Sequence, residues 1–228
     1  MNVDYCCLDA SAFSLGFAAS HGGTVIIEKS ENVLSDYVNP IKPSTVTEPK
    51  TDEGRAFADY LRKAGCVSDE GTLDSPSLAP AAAEYALNMN FNVLLGVKFI
   101  SCEKNHIQIY SNSGLQNIVC NKIIRPEAET GFKLLNCIVS GADYNTLLKF
   151  EEFGGRINRS FAKDEFILSV PFMFGCRLNE ARIEFVNKIK ACFGSSVQID
   201  AFAADFDYGS EFGGIIEEFE AGVGYDLL

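Results

Sequence analysis

Four polar residues near the start of the chain have types and spacing that could build a nucleotide site. Asp9, Ser11 and Ser14 follow one short apolar segment, and Glu28 follows a second one. The turn that binds a dinucleotide usually reads G-x-G-x-x-G, and an acidic residue about 20 positions later holds the ribose. The first three residues occupy the glycine positions, and Glu28 lies 28 − 9 = 19 positions after the first of them. The pattern predicts the opening strand–helix–strand unit of a dinucleotide-binding sheet, with an altered phosphate loop.

Apolar periodicity and turn residues predict the elements that position these side chains. A strand over 4–8 is apolar on both faces, as in the centre of a parallel sheet, and a helix of small residues follows over 12–21. Further helices are predicted over 52–64 and about 75–90, and strands over 25–27, 93–102, 106–110 and 117–124. The last three strands form an antiparallel meander in this interpretation. Residues 30–52, with three prolines, are predicted to be an extended surface connection.

The rest of the chain alternates between strands and helices. Strands are predicted over 133–139, 165–172 and 197–203, and helices over 142–153 and 178–193, before an acidic, glycine-rich tail. The predicted fold class is α/β: a Rossmann-like parallel sheet with flanking helices and an antiparallel β-meander, followed by a smaller α/β portion. The corresponding domains are 1–130 and 131–228.

Composition excludes several classes of partner. The 228 residues carry 19 basic and 31 acidic side chains, a net charge of −12, which argues against nucleic acid and anionic membrane surfaces. No apolar run approaches the roughly 18 residues of a membrane span, and no signal region opens the chain, so a cytoplasmic protein is expected. Eight cysteines without a C-x-x-C, and only two histidines, predict buried, reduced thiols and no metal site.

The opening segments resemble those of the FAD-dependent oxidoreductases with the glutathione-reductase-like fold. The matching stretches are 5–8, 15–19 and 25–29, which ends in Glu28-Lys29, and 74–95, which is similar to the family's helix and strand before the meander. The similarity covers about residues 3–125. It implies that Asp9, Ser11, Ser14, Glu28 and Lys29 stand at the FAD-binding positions.

The departures from that family concern the residues that admit the phosphates. A carboxylate at Asp9 would satisfy the free amides of the helix N-terminus and repel a pyrophosphate, and Ser11 and Ser14 carry a Cβ where the backbone should approach closely. The family's Gly-Gly pair reads Ser30-Glu31-Asn32-Val33 here, and its Ala-Thr-Gly reads Arg125-Pro126-Glu127. We therefore expect no bound cofactor, and FAD if any.

Alternative roles remain open for several residues. Glu28 could hold a ribose or be an inherited charge at a strand end, and Asp9 could cap the helix or select a neutral or cationic ligand. His21 and His106 are interpreted as surface residues. The clusters Glu151-Glu152 and Glu217-Glu218-Glu220 are interpreted as solvated faces, and Asp205, Asp207 and Tyr208 are candidates to line a pocket.

Three hypotheses for function follow. The leading one is a degenerate relative of the FAD-dependent oxidoreductases that has lost flavin binding and catalysis and serves as a structural, regulatory or partner-binding subunit. Its partner would be another protein or a second copy of the chain. The alternative is an active FAD-dependent oxidoreductase with altered contacts to the phosphates. A third hypothesis is a pocket for another small ligand at the strand ends. No motif identifies catalytic residues.

Overall fold

The computed structural model describes residues 1–124, 133–209 and 212–226, which form two sheets with helices packed on them. In chain order the elements are β1 (Asn2–Cys7), α1 (Ala12–Ser20), β2 (Thr24–Ile27), α2 (Ser35–Val38), α3 (Asp52–Lys63), α4 (Ser75–Asn88), β3 (Asn92–Leu94), β4 (Lys98–Glu103), β5 (His106–Ser111), β6 (Gly114–Ile124), β7 (Lys133–Ser140), α5 (Tyr144–Glu152), β8 (Arg156–Arg159), β9 (Glu165–Phe172), α6 (Leu178–Phe193), β10 (Gln198–Phe202) and α7 (Ile215–Val223). The Arg125-Pro126-Glu127 motif lies outside the described residues.

The first sheet has the strand order β3-β2-β1-β6-β5-β4. The pairs β3-β2, β2-β1 and β1-β6 are parallel, whereas β6-β5 and β5-β4 are antiparallel. The long strand β6 joins the two parts, since its first half pairs with β5 and its second half with β1. The predicted α/β fold, with a parallel sheet and an antiparallel meander, is confirmed.

Two apolar layers cover the two faces of the parallel strands. Cys7 and Ile26 face a core that includes residues of α1, α3, α4 and α7. Cys6 and Val25 face the other way, into a smaller core shared with the meander. Because successive side chains of a strand point to opposite faces, adjacent residues of β1 and of β2 serve both cores.

Helix α7 lies directly on α1, although it follows the second sheet in the chain. A Cβ added to Gly16 would lie 1.9 Å from the Phe219 carbonyl oxygen, and one added to Gly222 would lie 2.0 Å from the Phe13 carbonyl oxygen. Both glycines are therefore required for the close approach of the two backbones. The acidic tail of the sequence, where we predicted no element, thus contains a helix of the first core.

The second sheet has the order β10-β7-β9-β8, and all of its pairs are antiparallel. Helices α5 and α6 contribute Phe150 and Phe185 to its core. The buried Asn136 donates from Nδ2 to the carbonyl oxygens of Pro40 (2.9 Å) and Ile41 (3.3 Å), which ties this sheet to the segment after α2. The strand–helix alternation in this half of the sequence is typical of βαβ units, whose strands are parallel. The strands are antiparallel instead, and the short strand β8, which was missing from our prediction, forms a hairpin with β9.

Two element predictions in the first half are wrong. The single strand predicted over 93–102 is two strands, because the chain turns at Gly96, whose φ is +64°. The segment 30–52 is also more than a surface connection: it contains α2, and Val33, Leu34 and Tyr37 are buried in the first core. Because the segment contains prolines and many polar residues, its apolar residues did not predict a buried part.

Within the described residues none of the eight cysteines forms a disulfide, and five of them are buried. Burial raises the pKa of Cys7 to about 12 and that of Cys66 to about 11. The prediction of buried thiols is confirmed for those five and is wrong for Cys102, which is exposed. Within the three described ranges, no helix has both the length and the apolar content needed to cross a membrane.

Candidate functional site

A cleft of about 300 Å³ opens where β1 and β2 end, at the edge of the sheet where parallel α/β folds bind their ligands. We call it the acidic cleft. Its described lining comes from the β1–α1 loop, the segment around α2, the chain after β10, and α7. The lining residues are Asp9, Ser11, Glu28, Ser35, Asp36, Asn39, Pro40, Lys42, Asp205, Phe206, Asp207, Tyr208, Gly209, Phe212 and Glu218.

The three residues at the glycine positions bind one another. Asp9 Oδ1 accepts hydrogen bonds from the hydroxyls of Ser11 (2.6 Å) and Ser14 (2.7 Å) and from the Ser11 backbone amide (3.2 Å). Ser11 and Ser14 are 5% and 0% exposed. The positions that admit a phosphate in a glycine-rich loop therefore form a compact polar cluster here.

Ser11, rather than Asp9, is the N-cap of α1. The Ser11 Oγ accepts a hydrogen bond from the Ser14 backbone amide at 3.3 Å, which is the usual role of a serine in this position. Asp9 fixes the orientation of that hydroxyl by accepting a hydrogen bond from it. The hypothesis that Asp9 caps the helix thus needs a correction: the carboxylate supports the capping residue.

Glu28 connects the two loops at the ends of β1 and β2. Its Oε2 accepts from the Ala10 amide at 3.0 Å, and its Oε1 accepts from the Ser30 amide at 2.7 Å. The side chain is buried at 8% exposure. Lys29 turns the other way, with its ammonium 5.5 Å from the centroid of the Phe99 ring in the meander. Of the five predicted positions, Asp9, Ser11 and Glu28 line the cleft, Ser14 lies beneath it, and Lys29 lies outside it.

Helix α7 contributes a buried carboxylate to the cleft. Glu218 is 4% exposed and accepts a hydrogen bond from the Tyr37 hydroxyl at 2.9 Å. Burial raises the pKa of Glu218, while Lys42, the Tyr37 hydroxyl and the Phe13 amide act in the opposite direction. Phe13 belongs to the first turn of α1, so Glu218 lies near the helix end where nucleotide-binding folds place a pyrophosphate.

The other two glutamates of α7 also have defined partners. Glu220 Oε1 accepts from the amide (2.7 Å) and the hydroxyl (3.1 Å) of Thr51, at the start of α3. Glu217 Oε2 accepts from the Gly213 amide at 2.7 Å. The interpretation of Glu217, Glu218 and Glu220 as one solvated face is therefore wrong for the buried Glu218 and incomplete for Glu220.

The charges around the cleft are unbalanced. Six carboxylates line it, and among its described lining residues the only cationic side chain is Lys42, whose ammonium lies 4.4 Å from the centroid of the Tyr37 ring. The carboxylates are Asp9, Glu28, Asp36, Asp205, Asp207 and Glu218. Such a field repels anions. Asp205, Asp207 and Tyr208, our candidates for a pocket, all lie on this wall. Within the described ranges, no group of three or more His, Cys, Asp or Glu side chains could hold a metal ion.

Our sequence reasoning missed three charged residues of this cleft: Asp36, Lys42 and Glu218. Asp36 and Lys42 belong to the segment predicted as a surface connection, and Glu218 belongs to the tail without predicted elements. A usable signal existed in Ile215-Ile216 and Phe219, whose spacing of three to four residues is typical of a buried helix face. That signal predicts the helix but not that it reaches α1.

No family model and no curated protein matches this sequence significantly. Solved structures do match its fold. A flavoprotein/dehydrogenase from Cytophaga hutchinsonii is 11% identical over 98% of this chain and 76% of its own, with a TM-score of 0.55. The anhydrotetracycline hydroxylase OxyS from Streptomyces rimosus is 10% identical over 98% of this chain and 60% of its own, with a TM-score of 0.53.

The flavin-dependent monooxygenase PieE, solved with FAD and substrate, is 10% identical over 89% of this chain and 49% of its own, with a TM-score of 0.51. The chain thus spans between about half and three-quarters of the length of these proteins. At such low identity the likeness concerns the fold alone. The chain has the mixed α/β fold of FAD-binding oxidoreductases.

Proposed function

We propose that this chain is a relative of the FAD-dependent oxidoreductases that does not hold FAD in the nucleotide site of the fold. It acts as a structural, regulatory or partner-binding subunit, through contacts rather than redox chemistry. The observation that carries the proposal is the mutual hydrogen bonding of Asp9, Ser11 and Ser14, which uses the polar groups of the phosphate loop internally.

The residues present do not fit the pyrophosphate of FAD. A pyrophosphate binds where backbone amides at a helix N-terminus are free and the loop is lined by glycine. Here Ser11 Oγ holds the Ser14 amide, and the buried Glu218 lies near the Phe13 amide. An anionic group placed there would also face the carboxylates of the acidic cleft with one ammonium, Lys42, to offset them.

Glu28, at the ribose-binding position, also has its carboxylate oxygens engaged within the protein. Each Glu28 carboxylate oxygen already accepts a backbone amide, one from Ala10 and one from Ser30. Those bonds fasten together the two loops that would surround a ribose. A carboxylate has lone pairs left for further donors, so the proposal rests on the phosphate position and not on Glu28.

The competing function is an active flavoenzyme that holds FAD through altered contacts. Absorption spectroscopy separates the two functions. The protein is purified, incubated with excess FAD, desalted, and its spectrum is compared with that of the untreated sample. We expect no flavin bands in either sample, whereas bands that survive desalting would reject the proposal in favour of the flavoenzyme.

Two variants make the same experiment more specific. Asp9→Gly should stay colourless, because Ser11, Ser14 and Glu218 still fill the phosphate position. Glu218→Gln, which removes the buried charge and keeps the shape, should also stay colourless for the same reason. If either substitution alone produced retained flavin, the exclusion of FAD would rest on a single charge, and the proposed loss of the site as a whole would be wrong.

A further inference from the structure

We propose a second site, which binds a small phosphate-class oxyanion where the end of β8 meets segment 43–45 and the start of α7. It is a cavity of about 240 Å³, here called the oxyanion cavity, and it shares no lining residue with the acidic cleft, although its Pro43 and Gly213 directly follow Lys42 and Phe212 of the cleft. Its described lining is Pro43, Ser44, Thr45, Thr72, Asn158, Arg159 and Gly213. These are three hydroxyls, one carboxamide and one guanidinium, and none of these lining residues carries a carboxylate, in a chain whose net charge is −12.

Ser44 has an unused donor at this cavity. Its Oγ is fully buried and has no hydrogen-bond partner among the described residues. Buried hydroxyls nearly always have a hydrogen-bond partner, and a ligand in the cavity would supply one to Ser44. The backbone around it is fixed, since the Ser44 carbonyl oxygen accepts from the Leu73 amide at 3.1 Å and Thr45 pairs with Thr72.

Arg159 supplies the charge. It is the last residue of β8, and it belongs to neither of the two ion pairs within 4.0 Å in the described ranges, which are Arg55–Asp52 and Arg62–Asp59. It also borders a second cavity that Asp69 and Glu70 line, without pairing with either. A guanidinium presents several donors in one plane and matches the oxygens of a phosphate.

The start of α7 adds a favourable dipole. Its N-cap, Gly214, has no side-chain cap, and a Cβ placed on it would lie 3.5 Å from Ser44 Oγ. The helix N-terminus therefore lies against the cavity wall, and its partial positive charge favours an anion. Glu217 opposes this, because its carboxylate holds the Gly213 amide at 2.7 Å.

Inorganic phosphate is the probe for this site. The ¹⁵N-labelled protein is titrated with sodium phosphate, with sodium chloride keeping the ionic strength constant, and amide shifts are followed by NMR. We expect saturable shifts at 44–45, 158–159 and 213–214. Arg159→Met should weaken binding about tenfold or more, because it removes charge-assisted hydrogen bonds.

Matched variants decide whether the binding is specific. Arg156→Met removes the other arginine of β8, which does not line the cavity, and should leave the affinity within about twofold. Glu217→Gln should strengthen binding, because it removes the opposing charge. Shifts that do not saturate, shifts elsewhere, or equal losses in the two arginine variants would overturn the proposal. These outcomes are independent of the FAD experiment, since the two sites share no lining residue.

Discussion

The acidic cleft and the oxyanion cavity differ in how their polar groups are used. In the cleft, Asp9, Glu28 and Glu218 accept hydrogen bonds from neighbouring hydroxyls and amides, so the loops around it are fastened by the charges that line it. In the cavity, the Ser44 hydroxyl is buried without a partner and Arg159 makes no ion pair within the described ranges.

This difference separates two roles for polar residues. Groups that satisfy each other in a buried loop stabilise the fold, and replacing one of them leaves its partners unsatisfied. Groups without a partner among the described residues hold no other part of the fold in place, and they are available to bind a ligand. The cleft lies where related folds bind a ligand, but its polar groups already bind one another. The cavity contains donors that have no partner among the described residues. Substitutions in the first should therefore change stability, and substitutions in the second should change binding.

The largest expected effect concerns the helix that closes the cleft. Gly222→Ala would place a Cβ 2.0 Å from the Phe13 carbonyl oxygen and 2.7 Å from the Phe17 amide nitrogen. Because backbone atoms must move, we expect the free energy of unfolding to fall by about 3 kcal/mol. Urea unfolding followed by circular dichroism measures the change.

The control for that prediction is Gly224→Ala, at the end of the same helix. Its Cβ would lie 3.6 Å from the nearest atom, the Glu220 carbonyl oxygen, and its φ of −89° suits alanine. We expect a change within about 0.5 kcal/mol. A Gly222→Ala variant as stable as this control would mean that α7 does not pack on α1 as closely as described.

A smaller loss is expected from the polar cluster itself. Asp9→Ala removes the acceptor of the Ser11 and Ser14 hydroxyls, and Ser14 is fully buried. The free energy of unfolding should fall by about 2 kcal/mol, the usual effect of leaving buried donors without partners. Urea unfolding of this variant beside Asp4→Ala, an aspartate outside the cleft, tests the assignment; equal losses would remove the structural role of Asp9.

The sequence predicted the first half of this arrangement because its signals are local. Apolar runs, the Gly22-Gly23 stop and the 19-residue spacing define β1, α1, β2 and Glu28. The same signals gave most of the meander. They failed at Gly96, where a single left-handed glycine divides a continuous apolar run into two strands.

The missing parts of the cleft depend on contacts between distant segments. Tyr37 and Glu218 are 181 residues apart in the chain, and both are buried where the Tyr37 hydroxyl donates to the Glu218 carboxylate. Neither has a local pattern that shows this. Ser44 and Arg159 likewise meet at one cavity because the second sheet lies beside segment 43–45. Charge composition could suggest an acidic surface but not which carboxylates turn inward.

The cleft should also change stability with pH through Glu218. Burial raises its pKa above the ordinary value of 4.5 in the folded protein. The contribution of this group is therefore fully present below its unfolded pKa, and it is lost as the pH rises through the folded pKa. Glu218→Gln removes this titration, so the variant should gain stability relative to the wild type between pH 4.5 and neutral pH.

Glu217→Gln is the matched control, because Glu217 is an exposed carboxylate on the same helix. Urea unfolding of the three proteins across this pH range measures the differences. Parallel curves for the wild type and Glu218→Gln would contradict the assignment of a desolvated carboxylate at the cleft.

The smallest expected effect on stability concerns the oxyanion cavity. Arg159→Met removes a guanidinium that forms no ion pair in the described ranges, so the free energy of unfolding should change by less than about 0.5 kcal/mol. The same substitution is expected to weaken phosphate binding about tenfold or more. A loss of stability as large as that of Asp9→Ala would place Arg159 among the fold-stabilising groups. Near-neutral stability together with lost phosphate binding would instead mark the cavity as a site whose charge serves a ligand.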